Sequence, residues 1–276
     1  MATKRSEFYT DGGTKWLHFL TSSFPFGEVM TEAWRTYPAG SVRADSWYGG
    51  IVAPAAIKND QGVEQLTAER QGGLMGFAPQ MWGDDFGHVA NQGSFGDEGN
   101  LTLRRNGEQI GYSYYPSGVF EVPAEDSAYE LELNSGKFGG PARQWARSTE
   151  VKTTWGFRSA LDPDTFSVGL PLLFPRVGLP EAGSKTLPAS AGQVLPIRVT
   201  GHGGYTPGEI RSVKFAYSYD GGTTWTDAVV SGTGGAWAAT VDHNGASGKT
   251  VDTRVQVTDA KGATVTQVVK TAYAIR

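Results

Sequence analysis

The chain has 276 residues, a formal net charge of −4 and no cysteine. This excludes thiol catalysis, disulfides and cysteine-held metal, gives no support for a nucleic-acid partner, and leaves no apolar stretch near the roughly 18 residues that a membrane span requires. With 39% hydrophobic residues, 38 Gly, 8 Trp, 11 Tyr and 13 Phe, the composition predicts aromatic-rich strands between many turns, enough for one large or two ordinary domains.

Residues 1–30 carry Phe8, Tyr9, Trp16, Leu17, Phe19, Phe24 and Phe26 between Gly and Ser/Thr, and read as strands and a turn. Residues 28–37 read as a strand with Trp34 inward, followed by a turn at Pro38, Ala39 and Gly40. Residues 46–52, with Trp47, Tyr48, Ile51 and Val52, read as a strand made irregular by Gly49 and Gly50. Residues 64–70 allow one or two helical turns, and 72–77 read as a strand. Residues 81–99 read as a long loop carrying Trp82, Asp84, Asp85, His88, Asp97 and Glu98 among glycines. No other loop in the chain is so rich in reactive groups.

From Leu101 onward apolar and polar residues alternate. Leu101 and Leu103 lead to Asn106-Gly107, the strongest short hairpin signal. Residues 110–114 return, 119–122 form the next strand, and Tyr129, Leu131 and Leu133 alternate with Glu130 and Glu132. After a Gly/Pro-rich loop at 136–143, Val151, Thr153, Trp155 and Phe157 keep the same parity. Such runs predict antiparallel strands with one wet face. Residues 161–193 are proline-rich. Within them 170–177 is apolar and reads as a strand docking on the first half, with the junction at 179–190.

Residues 191–276 hold six strand candidates (194–200, 211–219, 224–230, 236–242, 250–258 and 263–274), with a seventh near 185–187 and a turn at 259–262. Ser218, Asp220, Gly222, Thr224 and Trp225 form S-x-D-x-G-x-T-W, the Asp-box pattern. Asp accepts hydrogen bonds from turn amides and Gly supplies positive φ, so the pattern reads as a folding device for a hairpin. A sialidase-like propeller would need several boxes, and the only other candidate is the degenerate stretch from Asp11 to Trp16. The predicted fold is all-β with two β-sandwich domains. The first, 1–178, is jelly-roll-like. The second, 184–276, is immunoglobulin- or fibronectin-III-like and carries the Asp-box hairpin.

Four histidines, His18, His88, His202 and His243, form no local zinc pattern. Asp84, Asp85, Asp97 and Glu98 offer hard oxygen ligands for calcium, the one cofactor considered; the plainer reading is that they cap turns. Glu28, Glu32, Asp84 and Glu98 are available for a glycosidase-type carboxylate pair, which sequence alone cannot match up. Trp34, Trp47, Tyr48 and Trp82 are candidates for stacking on a sugar or peptide, against the plainer reading as core. The first residues lack an apolar signal core, which fits either a cytosolic protein or a piece of a longer exported chain.

Several stretches together resemble a known family. They are Glu7-Phe8-Tyr9-Thr10 with Lys15-Trp16, then Trp47-Tyr48-Gly49-Gly50, Gly107-Glu108-Gln109-Ile110-Gly111 and Gly118-Val119-Phe120-Glu121-Val122-Pro123. Val151-Lys152-Thr153-Thr154-Trp155-Gly156-Phe157-Arg158-Ser159, the Asp-box, the 259–262 turn and Ala272-Tyr273 complete the set. In this order they resemble the region after the catalytic domain in large secreted subtilisin-like (S8 family) serine peptidases of actinobacteria. The H-G-T and G-T-S-M motifs of the protease unit are missing, as is Gly-x-Ser-x-Gly. The resemblance therefore implies an extracellular, non-catalytic accessory region, part of a longer precursor. Its expected partners are a protease domain of the same or a related polypeptide, which it would stabilise, and a protein or polysaccharide ligand. Two alternatives stand beside it: a glycoside hydrolase or lyase on the first domain, and a structural or adhesive surface module.

Overall fold

The computed structural model of the chain describes residues 6–10, 13–22, 28–90, 97–137, 146–181 and 183–276. Among these residues there is no helix. The strands form several antiparallel sheets, none closed into a barrel, in a β-sandwich-class architecture. Asp11 and Gly12 of the degenerate second box, Phe24, Phe26 and most of the 136–143 loop lie outside the described residues.

The largest sheet has nine strands among the described residues and draws on both halves of the chain. From one edge it runs Thr226–Asp227, Ile210–Ser218, Thr250–Asp259, Thr264–Ile275, Glu150–Ser159, Ser127–Lys137, Asp97–Arg105 and Glu108–Ser113. Thr186–Leu187 adds in parallel to Thr264–Ile275. The seam is the antiparallel pairing of Glu150–Ser159 with Thr264–Ile275, in register from Glu150↔Lys270 to Gly156↔Thr264. The boundary expected between 178 and 184 thus divides the chain without interrupting this sheet. The facing layer is Phe174–Val177, Ala191–Thr200, Ala236–Asp242 and Val229–Thr233.

The alternation read in the sequence explains why these strands form. Tyr129, Leu131 and Leu133 point into the core, as do Val151, Thr153, Trp155 and Phe157, while the alternate residues are exposed or half-buried on the other face. One buried cluster runs from Met30 to Ile275 and includes residues of both halves. Trp155 lies at the seam; it is fully buried, and its indole N–H donates to the Leu173 carbonyl at 2.7 Å. Arg105 and Glu108 are paired across a two-residue loop in which Asn106 and Gly107 have φ of 50° and 88°. This is the backbone twist that Asn-Gly accommodates.

The apolar 170–177 segment forms the strand Phe174–Val177. Its hydrogen-bonded partner is Ala191–Thr200 in the second half, from Phe174↔Thr200 to Val177↔Ile197. It is tied back to the first half by the Ile51 N–H, which donates to the Val177 carbonyl at 3.2 Å, and by Arg176 Nη1, which donates to the carbonyls of Ala53 (2.9 Å) and Gly83 (3.0 Å). Burial pulls the Arg176 pKa down to about 10, against the charges of Asp84 and Asp85.

Four stretches differ from their sequence reading. Residues 64–70 contain no helical turn. Ala68–Gln71 is a strand because Leu74–Phe77 pairs with it across Gly72-Gly73, and tertiary pairing overrides local propensity. In 28–37 the strand ends at Thr31, and Trp34 is 43% exposed rather than inward. In 46–52 the positive φ of Tyr48 and Gly50 breaks any strand, and pairing resumes only at Ala53–Ala55. In 81–99, of which 91–96 lie outside the described residues, strands occupy 81–83, 89–90 and 97–99. Gln80–Gly83 and Val89–Ala90 pair with each other, and Asp97–Arg105 enters the large sheet.

Because one sheet and one core span both halves, unfolding is expected to be a single cooperative transition by tryptophan fluorescence and circular dichroism alike. Trp155→Ala should lower stability by about 3–5 kcal/mol while preserving that coincidence. Two separated transitions in the unsubstituted chain would contradict the shared sheet.

His243 gives a pH signature. It is fully buried and hydrogen-bonds Tyr219 Oη at 2.6 Å and Tyr273 Oη at 3.0 Å, with Tyr217 and Asp242 beside it. Burial lowers its pKa from 6.5 to about 4, against the attraction of Asp242. The unfolded chain therefore takes up this proton first, and the stability contribution is lost as pH falls from 6.5 to 4. Melting temperature across that interval should fall less steeply in His243→Gln than in the unsubstituted chain.

Candidate functional site

The last strand of the large sheet, Glu108–Ser113, and the turn after it build a surface groove. Ser113 Oγ donates to the Ser117 carbonyl at 2.7 Å and accepts the Tyr115 N–H at 3.1 Å. This tight turn holds Tyr114 and Tyr115 outward, 82% and 72% exposed. Tyr112 and Tyr114 meet edge to face with ring centres 4.8 Å apart. The groove encloses about 540 Å³ and is lined by these three tyrosines, Asp97, Glu98 and Asn100 among others. Gly99 permits the close approach of its walls, since a Cβ there would lie 2.6 Å from Met81 Sδ and 2.9 Å from Pro116. The arrangement offers flat aromatic faces beside hydrogen-bonding groups, which suits a ligand with both C–H faces and polar edges.

A second, largely buried constellation lies in the first half, around Glu32 and His88. Thr31 pairs with Val89, so the next positions, Glu32 and His88, lie side by side on adjacent segments. The 84–88 turn is closed by Asp84, whose Oδ1 accepts the N–H groups of Phe86 (2.9 Å) and His88 (3.0 Å). The other oxygen, Oδ2, accepts from His88 Nδ1 at 2.6 Å. Trp47 stacks on the imidazole, with centres 3.9 Å apart and planes 7° from parallel. Glu32 is held by His18, by Arg35 Nε at 2.6 Å and by Arg43 Nη1 at 3.2 Å. Burial alone would lower the His88 pKa, but its contacts with Asp45 and Asp84 raise it to about 9. Burial would raise Glu32, yet the bonds from His18 and Arg35 bring its carboxyl below the ordinary value.

The residues singled out from sequence take separate places. Trp82 is fully buried, not at the surface: its indole N–H donates to Asp97 Oδ2 at 2.9 Å, and the Lys137 ammonium sits 4.2 Å above its ring. Trp47 is half-buried against His88, Tyr48 is half-buried in the adjoining turn, and Trp34 is exposed elsewhere. The four acids expected around calcium are not gathered. Asp84 serves His88, Asp85 pairs with Arg198 at 2.6 Å, Asp97 pairs with Lys137 at 3.0 Å, and Glu98 lines the groove. Among the described residues the group spaced to hold a metal is Glu32, Asp45 and His88.

The polar groups of the 218–225 turn are turned onto its own backbone. Ser218 Oγ donates to Asp220 Oδ1 and accepts the Gly222 N–H, while the Thr224 N–H and hydroxyl donate to Asp220. Those bonds, Thr224's foremost, hold the Asp220 carboxyl well below the usual range. Trp225 carries the Arg254 guanidinium 4.6 Å from its ring centre.

The sequence reading missed Tyr112, Tyr114, Tyr115 and Asp45. A signal existed for the tyrosines: Tyr114 and Tyr115 are adjacent and precede Pro116, so a period of two cannot bury both. Nothing local marks Asp45. No protein-family model matches the chain, and comparison with curated proteins gives no match.

Asp97 and Lys137 are both nearly fully buried. Asp97→Asn should cost about 3 kcal/mol in urea unfolding, because it removes the charge of a carboxylate paired with a buried ammonium. A change below about 1 kcal/mol would mean that the pair is effectively solvated.

Proposed function

We propose that the chain is a non-catalytic binding region of a secreted protein, in line with its resemblance to accessory domains of subtilisin-like peptidases, and that it takes a polysaccharide on the tyrosine groove. The observation that carries this reading is the outward presentation of Tyr112, Tyr114 and Tyr115 beside Glu98 and Asn100. Large aromatic rings held in water by a hydrogen-bonded turn retain most of their apolar area for a partner. Sugar rings present C–H faces to such rings and hydroxyls to the flanking carboxylate and amide.

Two features of the Glu32–Asp45–His88 constellation support a non-catalytic reading, one against a glycosidase and one against a serine hydrolase. Glu32 and Asp45 both lie below their ordinary pKa values, so neither keeps a proton for a leaving group near neutral pH. Among the described residues no hydroxyl hydrogen-bonds His88 Nε2, as a serine nucleophile would.

The test is calorimetric titration and pull-down with a panel of soluble and insoluble polysaccharides. Tyr114→Ala and Tyr115→Ala should each weaken binding about five- to tenfold, following roughly 1–1.5 kcal/mol per aromatic contact, without changing the melting temperature. Binding indifferent to both substitutions, or hydrolysis of the polysaccharide, would remove this reading.

A further inference from the structure

We propose that Glu32, Asp45 and His88 form a binding site for a divalent transition metal of the zinc type, clamping three segments of the first half together. The donor atoms lie within 4.8 Å of one another. His88 Nε2 stands 3.4 Å from Asp45 Oδ1 and 3.9 Å from Glu32 Oε2. Two atoms bound to a tetrahedral zinc at about 2.0–2.1 Å are roughly 3.4 Å apart, so small movements of the carboxylates bring all three onto one ion.

The imidazole carries an independent sign of a ligand. His88 is fully buried, yet its Nε2 has no hydrogen-bond partner among the described residues. It is aimed at the two carboxylates. Its other nitrogen donates to Asp84, whose oxygens are fixed by the turn amides. The carboxylate on Nδ1 keeps that nitrogen protonated, so an ion arriving at Nε2 displaces the proton held there and meets a ring already oriented, as metal-bound histidines are. Trp47 stacked on the ring removes its remaining freedom.

The donor set selects the ion. One imidazole with two carboxylates suits zinc and its neighbours, whereas calcium prefers six to eight oxygens. Three protein ligands leave a coordination position for water, on the side where Asp45 is partly open to solvent. Arg43 competes for the same edge. Its Nη1 reaches Glu32 Oε2 at 3.2 Å and its Nη2 reaches Asp45 Oδ2 at 3.0 Å, and the side chain is 29% exposed. It can withdraw into solvent when the ion enters, while Arg35 stays on Glu32.

The experiment uses the full chain stripped with chelator, then titrated with Zn²⁺, Co²⁺ or Ca²⁺. Zn²⁺ at a hundredfold excess over Kd should raise the melting temperature by roughly 5–10 °C. Co²⁺ should give the visible bands of a four-coordinate nitrogen–oxygen site. Arg43→Ala should tighten Zn²⁺ binding about tenfold, and Asp45→Asn, at a partly exposed position, should abolish the Zn²⁺ shift while leaving the stripped protein folded. His88→Gln should do the same where it folds. The proposal is overturned if Zn²⁺ gives no shift in either the unsubstituted chain or Arg43→Ala, if the shift survives Asp45→Asn, or if Ca²⁺ alone produces it.

Discussion

The pairing of Glu150–Ser159 with Thr264–Ile275 is the interaction on which the rest of this structure depends. It makes the last strand of the chain a central strand and removes two edges that would otherwise face water. The sequence separation is more than a hundred residues, so the closure entropy is met only once both halves are largely formed. In return the sheet gains a buried midline. Trp155 lies there with Phe174 5.7 Å from its ring, and Trp155 is hydrogen-bonded to Leu173. The first half supplies Phe174–Val177 to the facing layer as well, so the two halves exchange strands in both layers.

With the seam fixed, the far edge of the large sheet is free to carry a binding surface. Glu108–Ser113 ends the sheet, and the turn after it has no inward side to fill, so Tyr114 and Tyr115 face outward. The groove wall behind them is firm for a different reason. Asp97, Lys137 and Trp82 form a buried ion pair capped by an indole, at the point where Asp97–Arg105 meets Ser127–Lys137. Exposed recognition groups on a rigid, internally bonded base lose little freedom on binding.

The sheet in which Gln80–Gly83 pairs with both Val89–Ala90 and Ala53–Ala55 shows a different use of buried charge. Arg176 reaches from the second layer to carbonyls of Ala53 and Gly83, next to Asp84, and the 84–88 turn then presents His88 to Glu32 and Asp45. Arg176 holds the Gly83 carbonyl, and the adjacent Asp84 holds His88. A chain of buried donors and acceptors specifies one arrangement more sharply than apolar packing of the same volume.

The alternation of Tyr129, Leu131 and Leu133, the parity of Val151, Trp155 and Phe157, and the Asn106-Gly107 loop were legible from the chain alone, because period-two burial and positive φ are local properties. The all-β class followed from them. Residues 81–99 were misread because glycine and aspartate look like loop until Asp84 is seen bonding the amides that close a tight hairpin. Trp82 looked like a surface ligand-binder because its partner, Lys137, lies more than fifty residues away. The nearness of Asp45 to His88 has no local trace at all, since a loop residue is placed by the elements that flank it. Hydrogen-bonding periodicity is thus written residue by residue, whereas the joining of the two halves, the burial of charges and the meeting of Glu32, Asp45 and His88 depend on contacts between distant segments and exist only once the chain has closed on itself.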